Sequence, residues 1–573
     1  MQPHKYQLIH FIHKLDRNKI EDRDRDLVLK LRNGKTQVVK SEQWARYLGV
    51  MLDQSLNFDA HIEHLKVAVG KTIGALTAIG GSTWGLDRAS MLKLYNAIII
   101  PKIRFACSVW FNPDATKGEK TRRNKHIATL QALQKRALCI CTGAFRTTAG
   151  AVLEAETHQM PIEQALTRAS LTATIRMRAS PLYRGQMGNH TMKRKLGATP
   201  ALTTSRVSPM ARWEDQAWRV LGEDARTNLE RMEKYVKEPW WEGPQIHMAA
   251  NAETATKEHD EIRAAWKPGT MFVYTDGSDI RGKVGAAAWY EQKGWTSQTY
   301  LGPNTDSNVY AAELTGISQA MVMGIRETTA KKMFIFTDNQ ASIISTARPN
   351  GQSGQYILRR TFQVFNVLKK RGVDVEIRWI PAHIGIEGNE KADILAKEAT
   401  GWRKKKPSVA PALQQFHIYK LRSACKRTIN HHIELEWQRG FNRTSVGGRY
   451  KSNTGGDIDR HVNRLYDEQA KAISAIIIQL RTGFIGFNTY LFRIKRADHP
   501  GCECGWANQT VPHVLEECPL FRAQRKQYFG TPVITQTRGL LTKPTMLAKA
   551  AHFVLETGLL EQFRSVRRSQ LNH

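Results

Sequence analysis

Four carboxylates in the middle of this 573-residue chain stand where a strand ends or a helix begins. Asp276 follows the apolar run Met271-Phe272-Val273-Tyr274-Thr275 and precedes Gly277-Ser278. Glu313 lies in the first turns of a helix that opens Val309-Tyr310-Ala311-Ala312. Asp338 caps Met333-Phe334-Ile335-Phe336-Thr337, and Asp393 sits near the start of a last helix, in Gly388-Asn389-Glu390-Lys391-Ala392-Asp393. Each acid taken alone reads as a helix cap or a turn residue. Gathered at the ends of neighbouring central strands, they would repel one another and raise each other's pKa unless cations intervene. Two Mg²⁺ ions, with Mn²⁺ as a substitute, balance four carboxylates, and hard oxygen ligands select these metals over zinc. Such a pair sits roughly 3.5–4 Å apart and clamps the attacking and leaving oxygens of a phosphate.

A second constellation lies near the C-terminus. Cys502-Glu503-Cys504 is followed by His513 and Cys518, a C-x-C-x8-H-x4-C arrangement flanked by Gly501 and Gly505. Three thiolates and one imidazole complete a closed tetrahedral Zn²⁺ site, which is structural rather than catalytic. Buried thiols beside an unrelated surface histidine are the alternative. Cys107, Cys139, Cys141 and Cys425 read as ordinary buried thiols. Seven cysteines in a chain this long make no disulfide framework, so a reducing compartment fits.

The elements that must position the acids alternate between strand and helix. Met271–Thr275, Val284–Tyr290 and Ser297–Leu301 read as strands, Val309–Arg326 as a helix, and Lys332–Thr337 as a buried strand. Tyr356–Lys370 reads as a helix, Asp374–Ile380 as a strand and Asn389–Thr400 as a closing helix. The order is βββαβαβα, an α/β domain over residues 267–400. Ahead of it, Gln37–Lys40 and Arg46–Leu52 read as strands, Asp53–Asn57 as a turn, and His61–Ala78 and Asp87–Ile99 as helices. Residues 127–140 fall on a basic helix that Gly143 ends. The stretch Trp213–Trp266, interrupted by Pro239, Gly243 and Pro244, gives no clear pattern. Arg403-Lys404-Lys405-Lys406-Pro407 reads as a solvated linker to a mainly helical, basic tail. Four segments are expected: 1–112, a helical connector at 113–265, 267–400, and 401–573.

Lys and Arg number 85 against 52 Asp and Glu, a net charge of +33. An excess of that size is offset best by a polyanion, and nucleic acid is the expected partner. The most apolar stretch, Leu94–Phe111, contains Pro101, Lys102 and Arg104, so it reads as a core helix and its exit, not a membrane span. Met1-Gln2-Pro3-His4-Lys5 lacks a signal-peptide layout. An intracellular protein, nuclear or cytoplasmic and not secreted, is expected.

Tyr274-Thr275-Asp276-Gly277-Ser278, Ala311-Ala312-Glu313-Leu314, Phe336-Thr337-Asp338-Asn339 and the run Trp379-Ile380-Pro381-Ala382-His383-Ile384-Gly385-Ile386-Glu387-Gly388 through Asp393 together resemble a type 1 ribonuclease H domain. The family order is Asp, Glu, Asp, then His followed by Asp, and all five are present. The resemblance implies a ribonuclease H-like fold with a mixed five-stranded sheet. It implies an endoribonuclease that hydrolyses the RNA strand of RNA–DNA hybrids, with two metal ions held by Asp276, Glu313, Asp338 and Asp393. His383 would assist proton movement or product release. Specificity for RNA would come from 2′-hydroxyl contacts, with Gly277 letting the minor groove approach the backbone. One departure is at the helix start, where Asn308, followed by Val309-Tyr310, is the candidate for an Asn that many members place just before the helix Glu.

The flanks resemble the C-terminal part of fungal-type non-LTR (LINE-like) retrotransposon polyproteins. The matching stretches are Tyr47-Leu48-Gly49-Val50 with Leu56-Asn57-Phe58, Leu130-Gln131 through Thr142-Gly143-Ala144-Phe145-Arg146-Thr147-Thr148, and Gln479-Leu480-Arg481-Thr482-Gly483 with the cysteine–histidine cluster as a zinc-knuckle-like tail. This implies that residues 1–112 are a thumb-like remnant of a reverse transcriptase. No Asp-Asp pair occurs in the chain, so no DNA synthesis is expected, and the chain reads as a truncated element or a reading frame that starts within one. A catalytically silent nucleic-acid-binding remnant is the alternative function. An integrase-like enzyme shares the fold but usually supplies two Asp before a final Glu, and the order here differs. The sequence leaves the oligomeric state open.

Overall fold

The computed structural model describes residues 6–11, 26–30, 34, 36–113, 117–183, 209–349, 351–402, 417–530 and 536–566. The expected start at Met1–Lys5 and the linker Arg403–Pro407 lie outside the described residues. The chain forms two compact units, one made of Met1–Ser170 with Ile433–His573, the other of Leu171–His432. Among the described residues no helix is long and apolar enough to cross a membrane.

In the first unit, β1 (Leu27–Lys30) pairs antiparallel with β2 (Thr36–Val39). A single strand is expected over Arg46–Leu52, but the chain reverses there into a hairpin of β3 (Trp44–Tyr47) and β4 (Val50–Asp53). Leu48 and Gly49 take φ of 46° and 88°, the pair of left-handed residues that closes a tight hairpin. The Asp53 carboxylate then accepts from the backbone amides of Ser55 (3.2 Å) and Asn57 (2.8 Å), making the expected turn. The helix Asp59–Thr77 buries Ile62, Leu65, Val69, Ile73 and Leu76 and packs on the helix Lys117–Thr142. Gly143, at φ 72°, ends the latter.

The two stretches of this unit meet in a small core of Val152 and Ala155 with Phe441 and Tyr450. The helix Lys471–Thr482 is buried along its length and packs with Val514, Leu515, Leu547, Phe553 and Phe563. Glu156 is fully buried. Its carboxylate accepts from Arg481 Nε at 2.6 Å and from the Tyr466 hydroxyl, while Arg88 donates to the Glu156 carbonyl at 2.9 Å. A buried charge is tolerated only when paired in this way.

The second unit is built on a mixed sheet of six strands in the order β5-β10-β9-β6-β7-β8. These are β5 (Gln245–His247), β6 (Thr270–Ile280), β7 (Lys283–Tyr290), β8 (Trp295–Pro303), β9 (Lys332–Thr337) and β10 (Asp374–Trp379). β6, β9, β10 and β5 run parallel, β7 is antiparallel to β6, and β8, antiparallel to β7, returns to the common direction. The expected count of five is corrected by β5. It comes from the patternless stretch Trp213–Trp266 and adds three residues at the edge beside Glu376–Arg378. So short a strand carries too little alternation to be read from sequence. The same stretch also holds the helix Ala252–Ala264. A further helix, Gln340–Ala347, follows β9, capped by the Asn339 side chain accepting from the Ser342 amide.

The central strands are covered on both faces, which explains their continuous apolar runs. Met271, Val273, Met333, Ile335, Val375 and Ile377 pack with Ile317, Met321, Phe365 and Leu368 on one side. Phe272, Tyr274, Phe334 and Phe336 pack with Ile380, Ile386 and Ala392 on the other. Residues outside the expected domain bounds of 267–400 complete this body. Leu421 and Ala424 join its core, and buried Glu230 accepts from the amides of Gly354 (2.8 Å) and Arg422 (2.7 Å).

Candidate active site

Strand register brings the acids together. Thr275 of β6 lies opposite Thr337 of β9, so Asp276 and Asp338, each the next residue, are neighbours. β9 stops there, whereas β6 runs on to Ile280 paired with β7. Asp276 therefore sits within its strand, where the sheet loses a neighbour, and not at the strand's own end. The helix Val309–Arg326 lies across this point and brings Glu313 over it. One oxygen each from Asp276, Glu313 and Asp338 fall within 4.8 Å of one another.

Close approach of helix to strand requires Gly277. A Cβ there would meet the Glu313 amide nitrogen at 2.7 Å and the Ala312 Cβ at 2.8 Å. The space that its missing side chain leaves is thus filled by this helix, and not held open for a minor groove. Gly388 does the same for the last helix, Glu387–Ala399, where a Cβ would lie 2.4 Å from the Tyr274 ring.

Asp276 and Glu313 are 7% and 3% exposed. Burial, with repulsion from Asp338 and Asp393, pushes the Asp276 carboxyl up to about 8. Burial and the charges of Asp276 and Asp338 raise Glu313 well above the usual carboxylate range. The Gly277 amide donates to both and opposes the rise. Burial also raises Asp338, against a hydrogen bond from Asn389 and the nearby His383. Three acids in this state form a site that a bound cation would relieve. The donors are all carboxylate oxygens, so they fit a hard divalent cation.

Asp393 acts electrostatically on Asp276 and Asp338, but its ligand oxygen groups with His383 and Glu390 instead. Lys397, one turn on, donates to it at 2.6 Å. His383 is exposed, at φ 55° in the loop before the last helix. Sequence reasoning assigned no role to Asn389 or Glu390. Both stand within the motif run, and only their contacts distinguish them. Asn308 caps the Val309 helix by accepting from the Ala311 amide (2.9 Å), and its amide group donates to Ser423 Oγ (3.2 Å).

The cysteine–histidine cluster also assembles. The ligand atoms of Cys502, Cys504, His513 and Cys518 lie within 4.8 Å of one another. Cys502 and Cys518 sulfurs are 3.7 Å apart, and Cys504 Sγ is 3.2 Å from His513 Nε2. Bonds of about 2.3 Å from a tetrahedral zinc give a sulfur–sulfur edge of roughly 3.8 Å. His513 Nδ1 turns to Glu517, 3.5 Å away, the kind of outer carboxylate that fixes a ligand tautomer. The Trp506 amide draws Cys504 down to about 7, while burial pushes Cys518 up to about 11.

The RNase H family profile matches residues 268–401. This part of the chain is a ribonuclease H family domain. The chain is also similar to insect retrotransposon proteins, which corrects the expected fungal likeness. It is 27% identical over 110 residues to the "Retrovirus-related Pol polyprotein from type-1 retrotransposable element R1 4" of Nasonia vitripennis, covering 19% of this chain and 26% of that protein. It is 26% identical over 127 residues to the corresponding R1 2 polyprotein, covering 22% of this chain and 29% of that protein. The matches thus span about a quarter of those relatives' lengths. Among solved structures, LC11-RNase H1 in complex with an RNA/DNA hybrid is 16% identical with a TM-score of 0.20, covering 23% of this chain and 98% of that one. RNase H1 from Halobacterium salinarum NRC-1 is 19% identical with a TM-score of 0.18, covering 23% of this chain and 97% of that one. The domain's fold rests on its strand order and the family match, not on those overall scores.

Proposed function

We propose that the ribonuclease H domain hydrolyses the RNA strand of RNA–DNA hybrids, as part of a protein derived from a non-LTR retrotransposon. The observation that carries this is the convergence of Asp276, Glu313 and Asp338 within 4.8 Å at the point where β9 ends. Asp276, Glu313, Asp338 and Asp393 would hold two Mg²⁺ ions, for which Mn²⁺ can substitute. When bound, such ions would supply Lewis acidity to an attacking water and to the leaving oxygen. Attack of water in line on the phosphorus would displace the 3′-oxygen, leaving a 3′-hydroxyl and a 5′-phosphate.

The chain's own groups orient this chemistry. Asn389 holds Asp338 in place and keeps its pKa from rising further. Lys397 fixes Asp393. His383, on an exposed loop near Asp338, would assist proton movement or product release. Cys502, Cys504, His513 and Cys518 would hold one structural Zn²⁺, checked by elemental analysis of the purified chain, where one zinc per chain is expected. The segments 1–112 and 113–265 would be the thumb-like remnant and connector of the parent polyprotein.

The deciding experiment incubates the full chain with a labelled hybrid and Mg²⁺ beside Asp338→Asn. Cleavage of the RNA strand alone, reduced by at least ~100-fold in the variant, is expected. Hybrid that is bound while neither strand is cut, with Mg²⁺ or Mn²⁺, would instead make the protein a silent binding remnant.

A further inference from the structure

The first unit contains a cavity of about 780 Å³, walled by the Gly80-Gly81-Ser82 loop, the helix Lys117–Thr142 and the turn that follows it. Three of its lining side chains, Lys135, Arg136 and Arg146, are cationic, and none is acidic. No ion pair or side-chain hydrogen bond joins any of the three to the described residues. Lys135 and Arg146 both act on the Cys139 thiol between them in sequence, lowering its pKa against burial. Their charges therefore converge.

A second cavity in the same unit, about 940 Å³, is the useful contrast. There Arg88, Lys93 and Lys471 share the lining with Asp87, Asp467 and Glu468, so the charges balance. Uncompensated cations around a cleft repel one another and focus a positive field, the condition that favours a polyanion. The wall is also well packed. Gly143 closes so tightly that a Cβ would lie 2.7 Å from Ala475 Cβ and 3.2 Å from Ser82 Cα. Phe145 lines the cavity, its ring backed by Tyr490 with centroids 5.4 Å apart, an apolar surface on which a base can rest.

We infer that this cavity binds a single strand of nucleic acid, its phosphates held by Lys135, Arg136 and Arg146. Its volume is that of a ligand pocket of several hundred to ~1,000 Å³, room for a few nucleotides of one strand and too small to enclose a turn of duplex. The inference is independent of the nuclease reading, since no catalytic acid takes part.

The test measures fluorescence anisotropy of a labelled 15-nucleotide single-stranded DNA with the full chain, titrated over a range of salt. Lys135→Ala/Arg136→Ala/Arg146→Ala is compared with a control that removes the same charge from exposed sites elsewhere in the unit, Lys71→Ala/Lys125→Ala/Lys543→Ala. Loss of three phosphate contacts lowers the slope of log K against log salt by about 2 and weakens binding at least about tenfold at ~0.1 M salt. The control should change neither by as much. If the cavity variant fails to fold by circular dichroism, Arg136→Gln/Arg146→Gln, both exposed, takes its place with an expected slope change of about 1.4. Equal losses in cavity and control variants would overturn the site, leaving only bulk charge. An equal loss of affinity for a duplex of the same length would overturn the single-strand occupant.

Discussion

Asp276 and Glu313 are held out of water beside two further acids, and this sets how the domain responds to pH. An unfolded Asp titrates near pH ~4, whereas burial and repulsion lift the folded Asp276 to about 8. The folded state then binds more protons than the unfolded one across that window, so stability is highest below it and falls as pH rises through it. Glu313 moves in the same direction. Without added Mg²⁺, the melting temperature of the domain should therefore drop between pH 5 and pH 8. Mg²⁺ should restore more at pH 8 than at pH 5, and Asp276→Asn should flatten the dependence. Melting curves that are flat with pH in the wild type would contradict the crowding of these carboxylates.

At the scale of elements, the site depends on how closely one helix can lie on one strand. The Val309 helix reaches β6 because Gly277 has no side chain. Gly277→Ala should push the helix off or distort the strand, as overpacking does at about 1–3 kcal/mol. Lower urea resistance together with weaker hybrid cleavage is expected, since Glu313 rides on the displaced helix. Unchanged cleavage would mean that the helix position is not what aligns Glu313. The strands and helices carrying the acids were legible because long apolar runs and helical spacing are local signals. β5 was not, since three edge residues matter only through their pairing with β10. The hairpin at Leu48–Gly49 was missed because one residue beside the glycine is an ordinary leucine forced to positive φ.

For the whole molecule, the two compact units make stability separable. Cys502 and Cys518 belong to the same core as the buried helix Lys471–Thr482. A zinc bound there stabilises that core directly, because structural zinc binding is coupled to folding. A zinc-selective chelator, added with Mg²⁺ in excess, should lower the melting of the unit formed by Met1–Ser170 and Ile433–His573, while the ribonuclease H unit, followed at neutral pH by hybrid binding, is much less affected. Cys518→Ser should reproduce the chelator's effect. Loss of both units together would show that the zinc site supports more than its own core.

The sequence by itself determined the chemistry on offer: four acids and a histidine in family order, three cysteines and a histidine at ligand spacing, and a strong excess of positive charge. Residue type and short spacing record these directly. Tertiary structure alone decided that Asp276 meets Asp338 through the pairing of Thr275 with Thr337, and that Asn389 acts on Asp338. It alone decided that Glu156 neutralises Arg481, 325 residues away. Such contacts depend on strand register and on which surfaces exclude water together, and neither leaves a mark in the local pattern of residues.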